Sequence, residues 1–183
     1  MQKNFKNDLD TKYSDIFRNL YVQWKLQSKN KYAELQSNGL TNSGISSRIM
    51  YELMEELINK VICDLQQLFN NLPAKYNRKI SFKHLDEYKE KTINNIEGHI
   101  NNMEKELKNE YKNNLLFITE SNEIFLNNLR GNSKDKIEKL FNEIVNLRKG
   151  KKIAGLVIFN TVITILSFFI GIASLIVGII GIM

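Results

Sequence analysis

The side chains whose types and spacing could do chemistry gather toward the C-terminal end. No residue from Ile153 to Met183 is charged. Within that run the small and weakly polar residues fall at Asn160, Thr164, Ser167, Gly171, Ser174, Gly178 and Gly181, at spacings of 4, 3, 4, 3, 4 and 3. Ile, Leu, Phe and Val fill most of the remainder. A seam that repeats every 3.5 residues implies left-handed packing against another helix. Asn160/Thr164, Ser167/Gly171 and Ser174/Gly178 are each small-xxx-small pairs, which let two helix backbones approach closely. A segment that only anchors has no use for such a seam, because lipid accepts Leu and Ile all round. Two roles fit it. One is close packing of helices. The other is the wall of a narrow pore, where Asn160, Thr164, Ser167 and Ser174 offer an amide and hydroxyls to water.

Cations form the second feature. Arg148, Lys149, Lys151 and Lys152 stand immediately before the uncharged run, and no cation follows them. That asymmetry places their side of a membrane in the cytoplasm, with the lysines reaching to the headgroups. A second basic group is Lys75, Arg78, Lys79 and Lys83, with Tyr76 and Phe82 between them. Cations interleaved with aromatic rings suit a nucleotide or a single strand of nucleic acid. A solvated connector in a lysine-rich chain is the alternative.

Enzymatic chemistry finds no foothold. His84 and His99 are too far apart in sequence for an i, i+4 ligand pair, and no cysteine cluster accompanies them. Phosphate-binding and nucleophile-elbow motifs are absent from the sequence. Glu55-Glu56 and Glu104/Glu106 lie among lysines, where solvated helix faces are expected; a carboxylate pair that works as acid and base needs burial to separate its two pKa values. No catalytic residue, cofactor or metal is expected. Cys63 is the single cysteine, set in an apolar helical stretch, and is expected to be a small buried hydrophobe.

The elements that must position these groups read as helices throughout. The chain has 183 residues, a net charge of +6 and one proline, and no period-2 run of β-branched and aromatic residues persists. The fold class is all-α: a long-helix bundle or coiled coil with a single C-terminal transmembrane helix. Leu9, Tyr13, Ile16, Phe17, Leu20, Tyr21 and Trp24 line one face of a first amphipathic helix, which Asn38-Gly39 and Ser43-Gly44 interrupt. Ser46 or Ser47 is expected to cap a second helix whose broad apolar face (Met54, Leu57, Ile58, Val61, Ile62, Leu65, Phe69) suits a central position. Pro73 ends it, and a basic connector follows to residue 80.

Ser81 is expected to cap the longest helix, 81–130. Its seam, Ile93, Ile96, Ile100, Met103, Leu107, Tyr111, Leu115, Ile118, Asn122, Phe125 and Leu129, is a heptad pattern with one stutter. Uninterrupted, it would be a rod of about 75 Å, longer than a compact domain of this size; either it is a rod packed against neighbours or it bends near the stutter at Tyr111. Asn122 either fixes register between chains or sits at a solvated edge. Arg130-Gly131-Asn132-Ser133 reads as a helix stop and a new start. Three parts follow: a cytoplasmic bundle over 1–130, a basic juxtamembrane stalk over 131–152 and a transmembrane helix over 153–183. As a helix the last part spans about 46 Å against a hydrocarbon core of about 30 Å, enough to cross once with tilt. The first ten residues, MQKNFKNDLD, have no apolar run, so no secretory signal is expected there and residues 1–152 are expected in the cytoplasm.

This layout of helical region, basic junction at 148–152 and polar-seamed tail resembles bacterial membrane effectors of abortive-infection defence, such as the channel component of Hailong-type systems. The resemblance lies in architecture and assigns no binding residues. It implies a cytoplasmic region that controls a membrane pore, governed by a nucleic-acid-like signal from a partner nucleotidyltransferase. The expected partners are the lipid membrane, further copies of this chain (a trimer to pentamer, assembled through the 81–130 seam and the tail) and a nucleotide or single-stranded nucleic-acid signal. A tail-anchored tether or scaffold without transport activity is the competing expectation.

Overall fold

The computed structural model describes residues 2–41, 44–72, 80–110 and 120–180; for 2–5, 44, 110, 120–121, 151–153, 155 and 165–180 the description is of the backbone alone. Every element among them is helical: α1 Gln2–Ser37, α2 Gly44–Asn70, α3 Phe82–Glu110 and α4 Glu120–Ile180. The chain divides into two compact units, Met1–Ile144 and Val145–Met183. The first takes in residues 131–144, the greater part of the segment 131–152 expected to be a stalk.

The first unit is a helix bundle whose directions follow from its cross-helix contacts. Lys60 on α2 donates to Gln23 on α1, so these neighbours, joined by a short loop, run antiparallel. Asp10, Tyr13 and Trp24 of α1 meet Tyr88, Thr92 and Glu106 of α3 in the same order, so α1 and α3 run parallel. Tyr51 and Phe69 of α2 meet Phe125 and Phe141 of α4 in the same order, so that pair is parallel too. The chain therefore alternates up, down, up, down. Phe69 touches both Tyr88 and Phe141 edge-on, at 5.5 and 5.2 Å between centroids, which puts α2 at the centre as its broad apolar face requires.

The loop after α1 obeys local chemistry. Gly39 has φ 67°, the left-handed region that a Cβ disfavours. Leu40 N–H donates to the Leu35 carbonyl and Gly39 N–H to the Gln36 carbonyl, closing the last turn while Leu35 stays buried. Ser81 caps α3 as expected: its hydroxyl accepts the His84 N–H at 3.2 Å. Ser46 and Ser47 do not cap α2. The helix starts at Gly44, both serines are buried inside its first turn, and Ser46 Oγ donates to the Thr41 carbonyl.

Two further expectations are corrected, and one pair of alternatives is decided. Residues 82–130 are not one straight rod, as the bend alternative has it, because Arg130 on α4 reaches Glu104 and Asn101 on α3, each at 2.9 Å. In a single helix residues 104 and 130 would lie about 39 Å apart. Of the heptad seam, Ile96, Ile100, Met103, Leu107, Asn122 and Leu129 are buried within the bundle of one chain. Tyr111, Leu115 and Ile118 lie outside the described residues. Second, Gly131 stops nothing. α4 runs through it without positive φ, because Leu126, Leu129, Ser133, Ile137, Leu140 and Ile144 form one buried stripe on both sides of it. Third, Cys63 is exposed. The apolar face of α2 passes through Val61, Ile62 and Leu65, and position 63 turns away from it.

Candidate functional site

Within the bundle several polar side chains hold neighbouring helices together. Tyr88 donates to Asp10 at 2.6 Å, and Tyr13 shares hydrogen bonds with Thr92 and Asn95. Burial, and secondarily Asp10, raises the Tyr88 hydroxyl above its ordinary pKa; burial does the same for Tyr13. Burial pushes Tyr51 up to about 12, with Glu104 adding to the effect. These phenols are therefore neutral hydrogen-bonding groups, not bases. Burial lowers His99, whose ring stacks on Phe17 at 5.7 Å.

Glu104 and Glu106 are not the freely solvated carboxylates expected of a helix surface. Glu104 joins Lys108 at 2.6 Å and Arg130 at 2.9 Å. Glu106 accepts the Trp24 indole N–H at 3.0 Å and pairs with Lys25 at 2.9 Å. Both clamp α3 to a neighbour. A cleft of about 590 Å³ between α1 and α2 is bordered by Asp8, Asp15 and Asp64. Asp8 and Asp15 are neutralised by Lys12 and Arg18, each at 3.1 Å. Among the described residues no three side chains converge as ligands for a metal ion.

The second unit is different in kind. Leu156, Val157, Ile158 and Phe159 are consecutive and all exposed, Ile158 at 65% and Phe159 at 60%. Four consecutive positions turn through about 300° of a helix. Val162 and Ile163, again exposed, continue the band. A contiguous exposed apolar surface of this kind marks an interaction site on a soluble domain, or contact with lipid. The polar groups within it turn inward where they can: Thr161 Oγ1 donates to the Val157 carbonyl and Thr164 Oγ1 to the Asn160 carbonyl, both at 2.9 Å. Such bonds to residue i−4 satisfy a hydroxyl without solvent. Among the described residues no helix is long and apolar enough to cross a membrane; the side chains of 165–180 lie outside them.

Of the expected seam, Asn160 and Thr164 are exposed on α4. Ser167, Gly171, Ser174 and Gly178 belong to its helical backbone, and Gly181 lies outside the described residues. In the basic flank Arg148 is half-buried and Lys149 exposed, and Lys151 and Lys152 continue the helical backbone. Lys83 is exposed in the first turn of α3; Lys75, Arg78 and Lys79 lie outside the described residues. Thr161 was missed by the seam reading. It stands beside Asn160 and Thr164 on the helix surface, and its place off the 3.5-residue repeat concealed it.

The chain matches no protein-family model, no curated protein and no solved structure.

Proposed function

We propose that this chain is a subunit of a homo-oligomeric membrane channel, its bundle in the cytoplasm and its tail crossing the bilayer once. The observation that carries this reading is the band Leu156–Phe159, Val162 and Ile163, apolar around most of the helix and exposed. It belongs to a 31-residue run, Ile153–Met183, with no charge, preceded by four cations within 148–152. Exposed on all sides in water, that surface would cost about 25 cal/mol for each Å² of it; in lipid it costs nothing. The cations fit the anionic cytoplasmic leaflet. With six residues of the heptad seam buried within one chain, the reading assigns association between copies to the tail, where Asn160, Thr164, Ser167, Gly171, Ser174, Gly178 and Gly181 are small or polar. In the channel reading that seam faces water at the centre of the assembly.

The basic group Lys75, Arg78, Lys79 and Lys83 is proposed to receive a phosphate-bearing signal, in keeping with the resemblance to abortive-infection effectors. A scaffold held by the same tail would share the location and lack the flux.

The test is ion flux through vesicles reconstituted with the full chain, read beside its oligomeric state. Gly171→Leu or Ser167→Leu should abolish flux with the oligomer intact, while Ile165→Leu and Phe169→Leu leave both unchanged. An integral, oligomeric and silent protein would establish the scaffold instead.

A further inference from the structure

Tyr88 of α3 meets Asp10 of α1, and Phe69 of α2 touches both Tyr88 and Phe141 of α4, so these four residues stand at one level of the first unit. α1 and α3 run away from this level in one direction, and α2 and α4 run past it in the other. One pole of the bundle is therefore made by Lys6 on α1, Leu72 after α2, Phe82 and Lys83 on α3 and Ile144 on α4. At 1.5 Å per helical residue these lie about 4–9 Å beyond the shared level. Phe82 is 42% exposed, and Lys6 and Lys83 are exposed beside it. The chain between Leu72 and Ile80, which leaves and rejoins the bundle at this pole, holds three cations and no acid. Of the acids nearby, Asp8 is paired with Lys12 at 3.1 Å and Asp86 faces Lys89 at 3.8 Å, while Glu143 is exposed.

The same pole is the tethered one. Ile144 ends the first unit, and the uncharged run begins at Ile153. Nine residues span at most about 30 Å when fully extended, so a tail in the bilayer keeps this pole near the headgroups. A surface held that close is occupied even when its own affinity is weak, because tethering supplies a high effective concentration. Between a soluble phosphate and a lipid one, shape and charge decide. A small phosphate-bearing molecule is held in a concave site. The cleft that reaches this pole is bordered by Asp8, Asp15 and Asp64, a lining that repels phosphate. The exposed lysines stand instead beside an exposed aromatic ring at the end of the bundle. Aromatic rings rest at headgroup level in membrane interfaces, and lysines there meet anionic lipid.

We propose that the pole marked by Lys6, Phe82 and Lys83 docks on anionic phospholipid headgroups, and that the phosphate received around Lys83 is carried by lipid. The inference rests on the membrane reading above and adds to it the ligand of the basic group. Lys6 and Lys83 meet the headgroup phosphates, and Phe82 enters the interface between them.

The test uses the full chain in vesicles of phosphatidylcholine, alone or with phosphatidylglycerol, that carry a quencher on the lipid headgroups. A fluorophore is placed at Asn142→Cys, exposed at this pole, or at Ala33→Cys, exposed far along α1, each with Cys63→Ser. Phosphatidylglycerol should raise the quenching at 142 above the phosphatidylcholine baseline and leave 33 unchanged. High salt should reverse the rise. Lys6→Gln/Lys83→Gln should lower the docked-to-undocked ratio by about 25-fold, at about five-fold for each lysine, and Phe82→Ser should lower it further. Quenching at 142 that ignores phosphatidylglycerol, or that survives the double lysine change, would overturn the proposal in a chain that resists alkaline carbonate, with the membrane reading intact. So would a double variant that docks like the wild type but no longer binds a short single-stranded oligonucleotide, because the ligand would then be soluble. A wild-type chain released by carbonate would overturn both readings, since no tether would hold the pole at the bilayer.

Discussion

Exchanging Arg130 for Gln removes the charge that ties α4 to α3. The guanidinium reaches Glu104 and Asn101 at 2.9 Å and Asn127 at 3.3 Å. Glu104 is 17% exposed and Arg130 29%, so the pair is shielded better than an ordinary surface bridge. Glu104 keeps Lys108 at 2.6 Å, which prevents the loss of Arg130 from stranding a lone carboxylate. Exposed pairs contribute about 0.2–1 kcal/mol and hydrogen bonds to charged groups somewhat more. Arg130→Gln should therefore cost about 1 kcal/mol. The coupling between Arg130→Gln and Glu104→Gln in a double-mutant cycle should be about 0.5–1 kcal/mol, and high salt should diminish it.

The assay is urea unfolding of the full chain in a mild detergent, followed by its helical signal. In a continuous rod the two residues would be about 39 Å apart, several times the Debye length of about 8 Å at physiological salt. Their coupling would vanish. Strictly additive single-mutant effects would thus refute the antiparallel placement of α3 and α4.

Gly131 has open space where a Cβ would go and a helical backbone, so Gly131→Ala should stabilise the same transition by about 0.5–1 kcal/mol. Gly39→Ala, at φ 67°, should instead destabilise by about 1 kcal/mol; if both changes destabilise, the helix does stop at 131. For His99, burial lowers the folded pKa below the ordinary imidazole value of 6.5, so the unfolded chain takes up the proton first. Stability should then fall as pH drops below 6.5 toward the folded pKa, and His99→Gln should flatten this slope; a variant profile that matches the wild type's would count against the stacked, desolvated site. Exposed Cys63 should react fully with a water-soluble thiol reagent before any unfolding, and protection until denaturant is added would return it to the core.

The sequence alone determined those features that depend on near neighbours. Helical periodicity, the break at Asn38-Gly39 and the Ser81 cap each follow from one or two turns of backbone geometry, and each is present in the fold. The breadth of the α2 face already implied contact on several sides, and Phe69 makes it with both Tyr88 and Phe141. The uncharged run with its cationic border and polar seam is likewise a pattern of sequence, and Asn160 was visible within it. Tertiary structure decided who meets whom. A 3.5-residue seam describes a stripe and not its partner, so Ile96 to Leu129 read equally well as a surface between chains or as a core within one. Glycine followed by asparagine and serine is a stop signal worth about 1 kcal/mol, and the buried stripe from Leu126 through Ser133 to Ile144 outweighs it. The same stripe was present in the sequence at spacings of 3 and 4, but only the neighbouring helices turn it into burial. Glu104 became a clamp only when α4 brought Arg130 to it. Local energies choose the helices; the burial shared between them chooses the arrangement, and no window of consecutive residues contains that sum.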